Sequence, residues 1–325
     1  MQKMHESFPE AKLLLEQAQT ILLTTHERTD GDDLGSALAL AHHLKLAGKN
    51  VAVVVKGGVP QQLQYLPMSE LVSETLPQDE HGQPWQFDAL VISGCSVRDR
   101  VKHEGILKLN VPTINLDHHP DNKMYGDVNV VDHTKSSVAE LTYDFFKFAE
   151  WEINHDIALC LLTGIVTDTG IFMHSNTQAS TLAAAAELMT KGARVSTVTK
   201  HTYEGKDLAS LKAWSRALGN AHYDAAKQMI YSIITSEELD ALGNPPLSAF
   251  EGIVETLNKV PEAKFAMFLK QDKDIIKGSL RSEEHKGVDV QAIAQSLGGG
   301  GHKLAAGFTL LGTLARDSRG KWEVV

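Results

Sequence analysis

The sequence predicts an α/β protein of two domains: a parallel, doubly wound sheet domain, a helical connector, and a smaller α/β domain with a mixed sheet. Three observations predict it. Short apolar runs alternate with helical patterns in the first half of the chain. From about residue 137 to 222 strand signals give way to successive helices. Strand signals then return, interleaved with helices and closed by a run of glycines. A length of 325 residues also exceeds what one hydrophobic core usually serves.

In order along the chain, the first strands are read at TILLTTH (20–26), NVAVVVKG (50–57), DALVISGC (88–95), TINLDHH (113–119) and VNVVDHT (128–134). Between the first two, LGSALALAHHLKLAG has helical periodicity and ends at Gly48, a suitable carboxyl-terminal cap. The segments SSVAELTYDFFKFAE and TLAAAAELMTKG continue as helices, and GIVTDTG closes a buried apolar one. The later strands are QMIYSIIT, KFAMFLKQD and DIIKGSLRS, with VDVQAIAQSL helical after them. The boundaries are set at 1–190 for the first domain, 191–222 for the helical connector and 223–325 for the second domain. No internal repeat or low-complexity segment interrupts this pattern.

A hydrophobic content of 42% and a charged content of 22% are those of an ordinary globular chain. The formal net charge of -10 argues against a protein that grips long duplex nucleic acid by neutralising phosphates. It leaves room for a small anionic substrate, because bound divalent metals can supply positive charge locally. Two cysteines, Cys95 and Cys160, give neither a disulfide framework nor zinc-ligand spacing, which fits a reducing cytoplasm. The amino-terminal stretch has no apolar run after a basic start, and no segment approaches a membrane span, so a soluble cytoplasmic protein without membrane partners is expected.

In an open parallel sheet, ligands bind beyond the carboxyl ends of the strands. The first strand end delivers His26, Asp30, Asp32 and Asp33 around a glycine-containing turn. A helix N-cap is the competing role for Asp32 or Asp33. TINLDHH adds Asp117, His118 and His119, and GIVTDTG puts Asp168 at the end of an apolar helix. There a lone buried carboxylate would cost several kcal/mol unless paired, hydrogen-bonded or bound to a metal. Mixed oxygen and imidazole donors suit manganese better than calcium or structural zinc. Two such metals a few ångströms apart serve in-line displacement at phosphorus. Asp132 and His133 are read as local hydrogen bonding and left outside the metal set.

In the second domain, Gly298 to Gly301 expose backbone N–H groups ahead of His302, a loop able to wrap an anion, and Arg281 with Ser282 ends the strand DIIKGSLRS. This domain reads as the substrate grip. His42 and His43, inside a helix and far from any strand end, read as ordinary surface or boundary histidines, while Phe145, Phe146, Trp151 and Trp214 read as packing residues.

HERTDGDDLGS, NLDHH, GIVTDTGIF, GSLRS and GGGGHKLAAG together resemble the DHH phosphoesterases over nearly the whole chain. The resemblance is strongest to the two-domain bacterial type that includes NrnA-type oligoribonuclease and pAp phosphatases and the phosphodiesterases acting on linear pApA or cyclic di-AMP. It implies two manganese sites, one held by His26 and Asp30 and the other by Asp32, His118 and Asp168. Asp117 and His119 would be catalytic, orienting the site and its phosphate. Arg281, Ser282, Gly299, Gly300, Gly301 and His302 would bind the substrate's terminal phosphate or nucleotide across an interdomain cleft. The implied activity is hydrolysis of short RNA or dinucleotides to nucleoside monophosphates, with 3′,5′-bisphosphate nucleotides as further substrates.

The chain departs from that pattern at one place. Relatives end the DALVISGC strand with an aspartate that bridges both metals, and alignment puts Gly94 there. The bridging position is therefore expected to be vacant, one metal site weakened and activity impaired. Asp99 is a weak substitute, since it lies about five residues on in an expected helix. A natural variant, an inactivated mutant and a nucleotide-binding protein without catalysis are the readings left open, and the acidic DHH half is shared with inorganic pyrophosphatases. The helical middle segment offers a homodimer surface.

Overall fold

The computed structural model describes residues 2–202, 208–318, 320 and 322–325. The chain forms two compact units, Met1–Gly205 and Lys206–Val325.

In the first unit, α1 (Gln2–Gln17) leads into β1 (Thr20–Thr25), α2 (Gly31–Leu46) and β2 (Asn50–Val54). The short β3 (Val72–Ser73) follows, then β4 (Ala89–Ser93), α3 (Glu104–Leu107), β5 (Thr113–Asp117) and β6 (Val128–Val131). The sheet is parallel throughout, in the order β3-β2-β1-β4-β5-β6. Every strand read from the sequence is present; β1 stops just before His26, and β5 ends at Asp117 with His118 and His119 following. Strands β4 and β5 are buried along their whole length, as interior parallel strands covered on both faces must be. The chain winds outward from β1 to β3 and resumes on the other side of β1 with β4, so the winding reverses between β1 and β4. A crevice opens at the strand ends at such a reversal.

Four helices complete this unit: α4 (Val138–Ala149), α5 (His155–Asp168), α6 (Ala179–Thr190) and α7 (Val195–Thr202). Helix α5 is buried continuously from Ile157 to Val166 because α2, α4 and α6 pack around it. Side-chain oxygens start these helices where the sequence provides them: Ser137 accepts the Glu140 N–H and Asn154 accepts the Ile157 N–H. Phe145 and Phe146 stand edge-on to Trp151 at 5.1 and 5.5 Å between centroids, and His43 stacks on the same indole at 3.9 Å.

The second unit contains α8 (Leu208–Gly219), β7 (His222–Asp224), β8 (Met229–Ile234), α9 (Ser236–Ala241) and α10 (Ile253–Leu257). It continues with β9 (Phe265–Asp272), β10 (Ile275–Ser282), α11 (Val290–Ser296), β11 (Gly300–His302) and β12 (Ala305–Leu311). A small ribbon of β13 (Leu314–Arg316) and β14 (Trp322–Val324) ends the chain. The main sheet has the order β11-β12-β10-β9-β8-β7 and is mixed, with β8 and β9 parallel and the other pairs antiparallel. On one face, Ala266 and Phe268 of β9 pack with Ala213, Phe250 and Ile253. On the other, Leu269, Ile276, Leu280 and Phe308 pack with Val290 and Ala294.

The expected connector at 191–222 divides between the units. Val198 of α7 joins the first unit's core, and Ala213 and Ala217 of α8 join the second's, because each helix carries its own apolar stripe. Residues 203–207 of that segment lie outside the described residues. Among the described residues, no helix is long and apolar enough to cross a membrane.

Candidate metal centre

The turn after β1 is organised by Asp30. Its Oδ1 accepts the backbone N–H groups of Asp32 and Asp33, both at 3.1 Å, and so caps α2. The N-cap is therefore Asp30, and neither Asp32 nor Asp33 takes that role, which frees both for other contacts. His26 fixes its ring through Nδ1, 2.7 Å from the carbonyl of Glu27. Its Nε2 then faces Asp33 Oδ2 at 2.8 Å and Asp30 Oδ2 at 3.8 Å.

Asp32 turns to the opposite side. Its two oxygens accept the N–H groups of Val138 at 2.7 Å and Ala139 at 2.8 Å, the unpaired donors that open α4. His118 is anchored like His26, with Nδ1 3.2 Å from the Lys135 carbonyl. Its Nε2 lies 3.7 Å from Asp168 Oδ2 and 4.0 Å from Asp32 Oδ2. Two groups thus form, His26 with Asp30 and Asp33, and Asp32 with His118 and Asp168, the donor atoms of each within 4.8 Å of one another. Anchoring of the imidazole Nδ1 by a carbonyl, with Nε2 presented to carboxylates, is the outer support that metal-binding histidines use.

Asp117 has a different role. Fully buried, it accepts His119 Nδ1 at 2.6 Å and the backbone N–H of His118 at 2.8 Å through Oδ1, while Asn122 Nδ2 donates to Oδ2 at 2.5 Å. His119 is held with Nε2 available. Asp132 only closes its own turn, accepting Thr134 N–H and Oγ1–H. Asp99 lies in the 3-10 turn Arg98–Val101 and belongs to neither group.

Electrostatically, each group crowds buried carboxylates together. Burial, reinforced by the charge of Asp168, pushes the Asp32 carboxyl up to about 7. Burial and the charge of Asp30 do the same to Asp33, also to about 7, and burial raises Asp168 to about 6. Burial opposes the charge on His26, but its hydrogen bonds to Asp30 and Asp33 outweigh it and raise the imidazole to about 10. A divalent cation at either group would relieve this repulsion, and imidazole with carboxylate oxygens is a donor set that suits manganese.

Asp33 was not among the ligands read from the sequence, yet its carboxylate stands in the His26 group, beside Gly94. The backbone of Gly94 is left-handed, at φ +68°, and an added Cβ would lie 1.5 Å from Asp33 Oδ1 and 2.0 Å from its Cγ. The space beside Gly94 is occupied by the Asp33 side chain. The adjacent acids at 32 and 33 were the available signal, obscured because one of them was read as a possible cap.

In the second unit, register decides which predicted residues meet. Arg281 pairs with Ala305, which pairs with His302, and Ser279 pairs with Gly307, which pairs with Gly300. Directly paired residues project from the same face, so Arg281, Ser279, Gly300 and His302 share one face with small residues between them. Beside it, Phe250, Phe268, Lys270, Lys277, Ser279 and Arg281 line a cavity of about 270 Å³. Arg281 Nη2 is 2.9 Å from Glu255 Oε1. Ser282 does not join this face: it alternates to the buried side and donates to the Lys264 carbonyl at 2.8 Å. The glycine run is also a short strand rather than an open loop. Gly299 and Gly301 are pressed against backbone, with a Cβ at 2.2 Å from the Gly307 carbonyl oxygen and 2.6 Å from that of Ala305, while Gly298 and Gly300 face open space.

The DHH family N-terminal domain matches residues 20–165, and the DHHA1 domain matches residues 245–317. A bifunctional oligoribonuclease and PAP phosphatase NrnA of Thermus thermophilus is 31% identical over 296 residues, covering 90% of this chain and 84% of that protein. The chain belongs to the DHH family. Another DHH relative, the NrnA of Bacillus subtilis, is 29% identical over 300 residues, with 90% and 89% covered. The cyclic-di-AMP phosphodiesterase PdeA of Listeria monocytogenes is 24% identical over 304 residues, though only 44% of it is spanned. The DHH fold is seen in an exopolyphosphatase-related protein from Bacteroides fragilis, with TM-score 0.85, 23% identity and coverage of 95% of this chain and 92% of that one.

Proposed function

We propose that this DHH protein is a manganese-dependent phosphodiesterase that hydrolyses short oligoribonucleotides or linear dinucleotides such as pApA to nucleoside monophosphates, and also acts on 3′,5′-bisphosphate nucleotides. The observation that carries the reading is the pair of histidine–carboxylate groups at the reversal point of the sheet, each with its imidazole Nδ1 already anchored. The activities named for the NrnA relatives and for PdeA support the choice of substrate class.

In this reading His26, Asp30 and Asp33 hold one metal, and Asp32, His118 and Asp168 the other. Bound metals would lower the pKa of a water and offset charge at the phosphoryl oxygens. The protein's own groups do the rest. Asp117 accepts from His119 Nδ1 and favours its imidazolium form, whose Nε2–H would donate to a phosphate oxygen. The α4 N-terminus holds Asp32 in a single orientation. In the second unit, Arg281 would exchange Glu255 for a phosphate, and His302 and Gly300 stand on the same face.

Incubation with pApA and short RNA, with manganese or with a chelator, tests this. The expected result is release of nucleoside monophosphates only with metal, faster than release of phosphate from pyrophosphate. Tight binding of pApA without turnover would favour the non-catalytic reading instead. That alternative rested on a missing carboxylate at Gly94, a place that Asp33 fills.

A further inference from the structure

The backbone of Gly94 still belongs to the sheet edge at which a ligand would be presented, since its N–H donates to the Leu116 carbonyl at 2.9 Å. What differs is the source of the carboxylate. The ideal Cβ position at 94 lies 1.5 Å from Asp33 Oδ1, 2.0 Å from Cγ and 2.3 Å from Oδ2. Those are bonding distances, so a side chain at 94 and the Asp33 carboxylate claim one volume. Asp33 is 2% exposed, and its Oδ2 is 2.8 Å from His26 Nε2, so it is aimed into the first donor group and away from solvent.

We infer that Asp33 is a metal ligand transferred from the end of β4 to the first turn of α2, and that Gly94 is required at the strand end because any larger residue would displace it. The inference rests on the metal-dependent reading above and adds to it: Gly94 marks a relocated ligand rather than a lost one. It also names an exchange that the backbone permits. Aspartate is among the few non-glycine residues that populate φ near +60°, so a carboxylate can return to position 94 once Asp33 is removed.

Manganese titration of the full chain by calorimetry, with electron paramagnetic resonance to detect coupled manganese pairs, tests this alongside thermal melting. The wild type is expected to bind two ions per chain. Asp33→Asn keeps the shape and an acceptor for His26 but loses the charge, and is expected to weaken one ion at least tenfold and abolish the coupled signal. Gly94→Ala should do the same by displacing the carboxylate. The double variant Asp33→Ala/Gly94→Asp should recover the second ion relative to Asp33→Ala. Unchanged affinity for both ions in a folded Asp33→Asn variant would overturn the inference while leaving the metal-dependent reading intact. Absence of manganese binding by the wild type would overturn the metal-dependent reading itself, and this inference with it.

Discussion

Replacing Asp117 by asparagine is expected to damage stability and catalysis together. The carboxylate accepts His119 Nδ1 and the backbone N–H groups of His118 and His119 at Oδ1, and Asn122 Nδ2 at Oδ2. An asparagine has only one acceptor oxygen. If that oxygen replaces Oδ1, the new amide faces Asn122, whose own oxygen is already committed to Asn115 Nδ2 and the Met124 N–H. Leaving one buried donor opposed costs about 1–3 kcal/mol, and making the His119 bond neutral costs about 1 kcal/mol more. A total of about 2–4 kcal/mol lowers the melting temperature of a unit this size by roughly 5–15 °C.

The hydrogen bond to Asp117 is also the largest influence on His119, raising its pKa against the effect of burial. Without the carboxylate, burial dominates and the His119 pKa should fall. Activity on pApA should drop by about 10–100-fold, as is usual when an outer support of a metal site is removed. Thermal melts, an NMR titration of His119 in chelator and steady-state hydrolysis are the assays. An unchanged melting temperature together with an unchanged His119 titration would refute the reasoning.

Four further outcomes are expected. Metal-free protein should lose stability as pH rises from about 4 to 10: burial holds Asp32, Asp33 and Asp168 up at about 7, 7 and 6, and its hydrogen bonds raise His26 to about 10, all above their ordinary values. The folded state therefore binds more protons than the unfolded one, and melting temperature in chelator should fall across that window. Manganese must displace those protons, so calorimetry near pH 6.5 in buffers of different ionisation enthalpy should show proton release, and metal affinity should rise with pH. Arg281→Ala should raise KM for pApA by about tenfold or more with kcat little changed, a loss on the scale of a charge-assisted contact; Ser282→Ala should leave KM unchanged and cost about 1 kcal/mol of stability through its bond to the Lys264 carbonyl.

Much of the fold was legible because short apolar runs identify strands buried on both faces, and the paired residue-level motifs lie at the strand ends. His26 and His118 could be read for the same reason, and Asp168 because it is a carboxylate closing an apolar helix. What could not be read depends on direction and contact between distant segments. That Asp33 joins Asp30 beside His26 depends on the first turn of α2, which Asp30 caps through Oδ1. Ser282 looked like a partner of Arg281, but adjacent strand residues project from opposite faces. Gly94 looked like a vacancy because sequence alignment compares residues at one position, whereas the volume at that position is filled from α2.

The central claim is that two metal ions sit at the reversal point of the sheet on residues this chain already positions. Anomalous diffraction at the manganese edge, from crystals grown with manganese, measures that directly. The account predicts one peak on His26, Asp30 and Asp33 and a second on Asp32, His118 and Asp168. A single peak, or peaks away from these side chains, would contradict it.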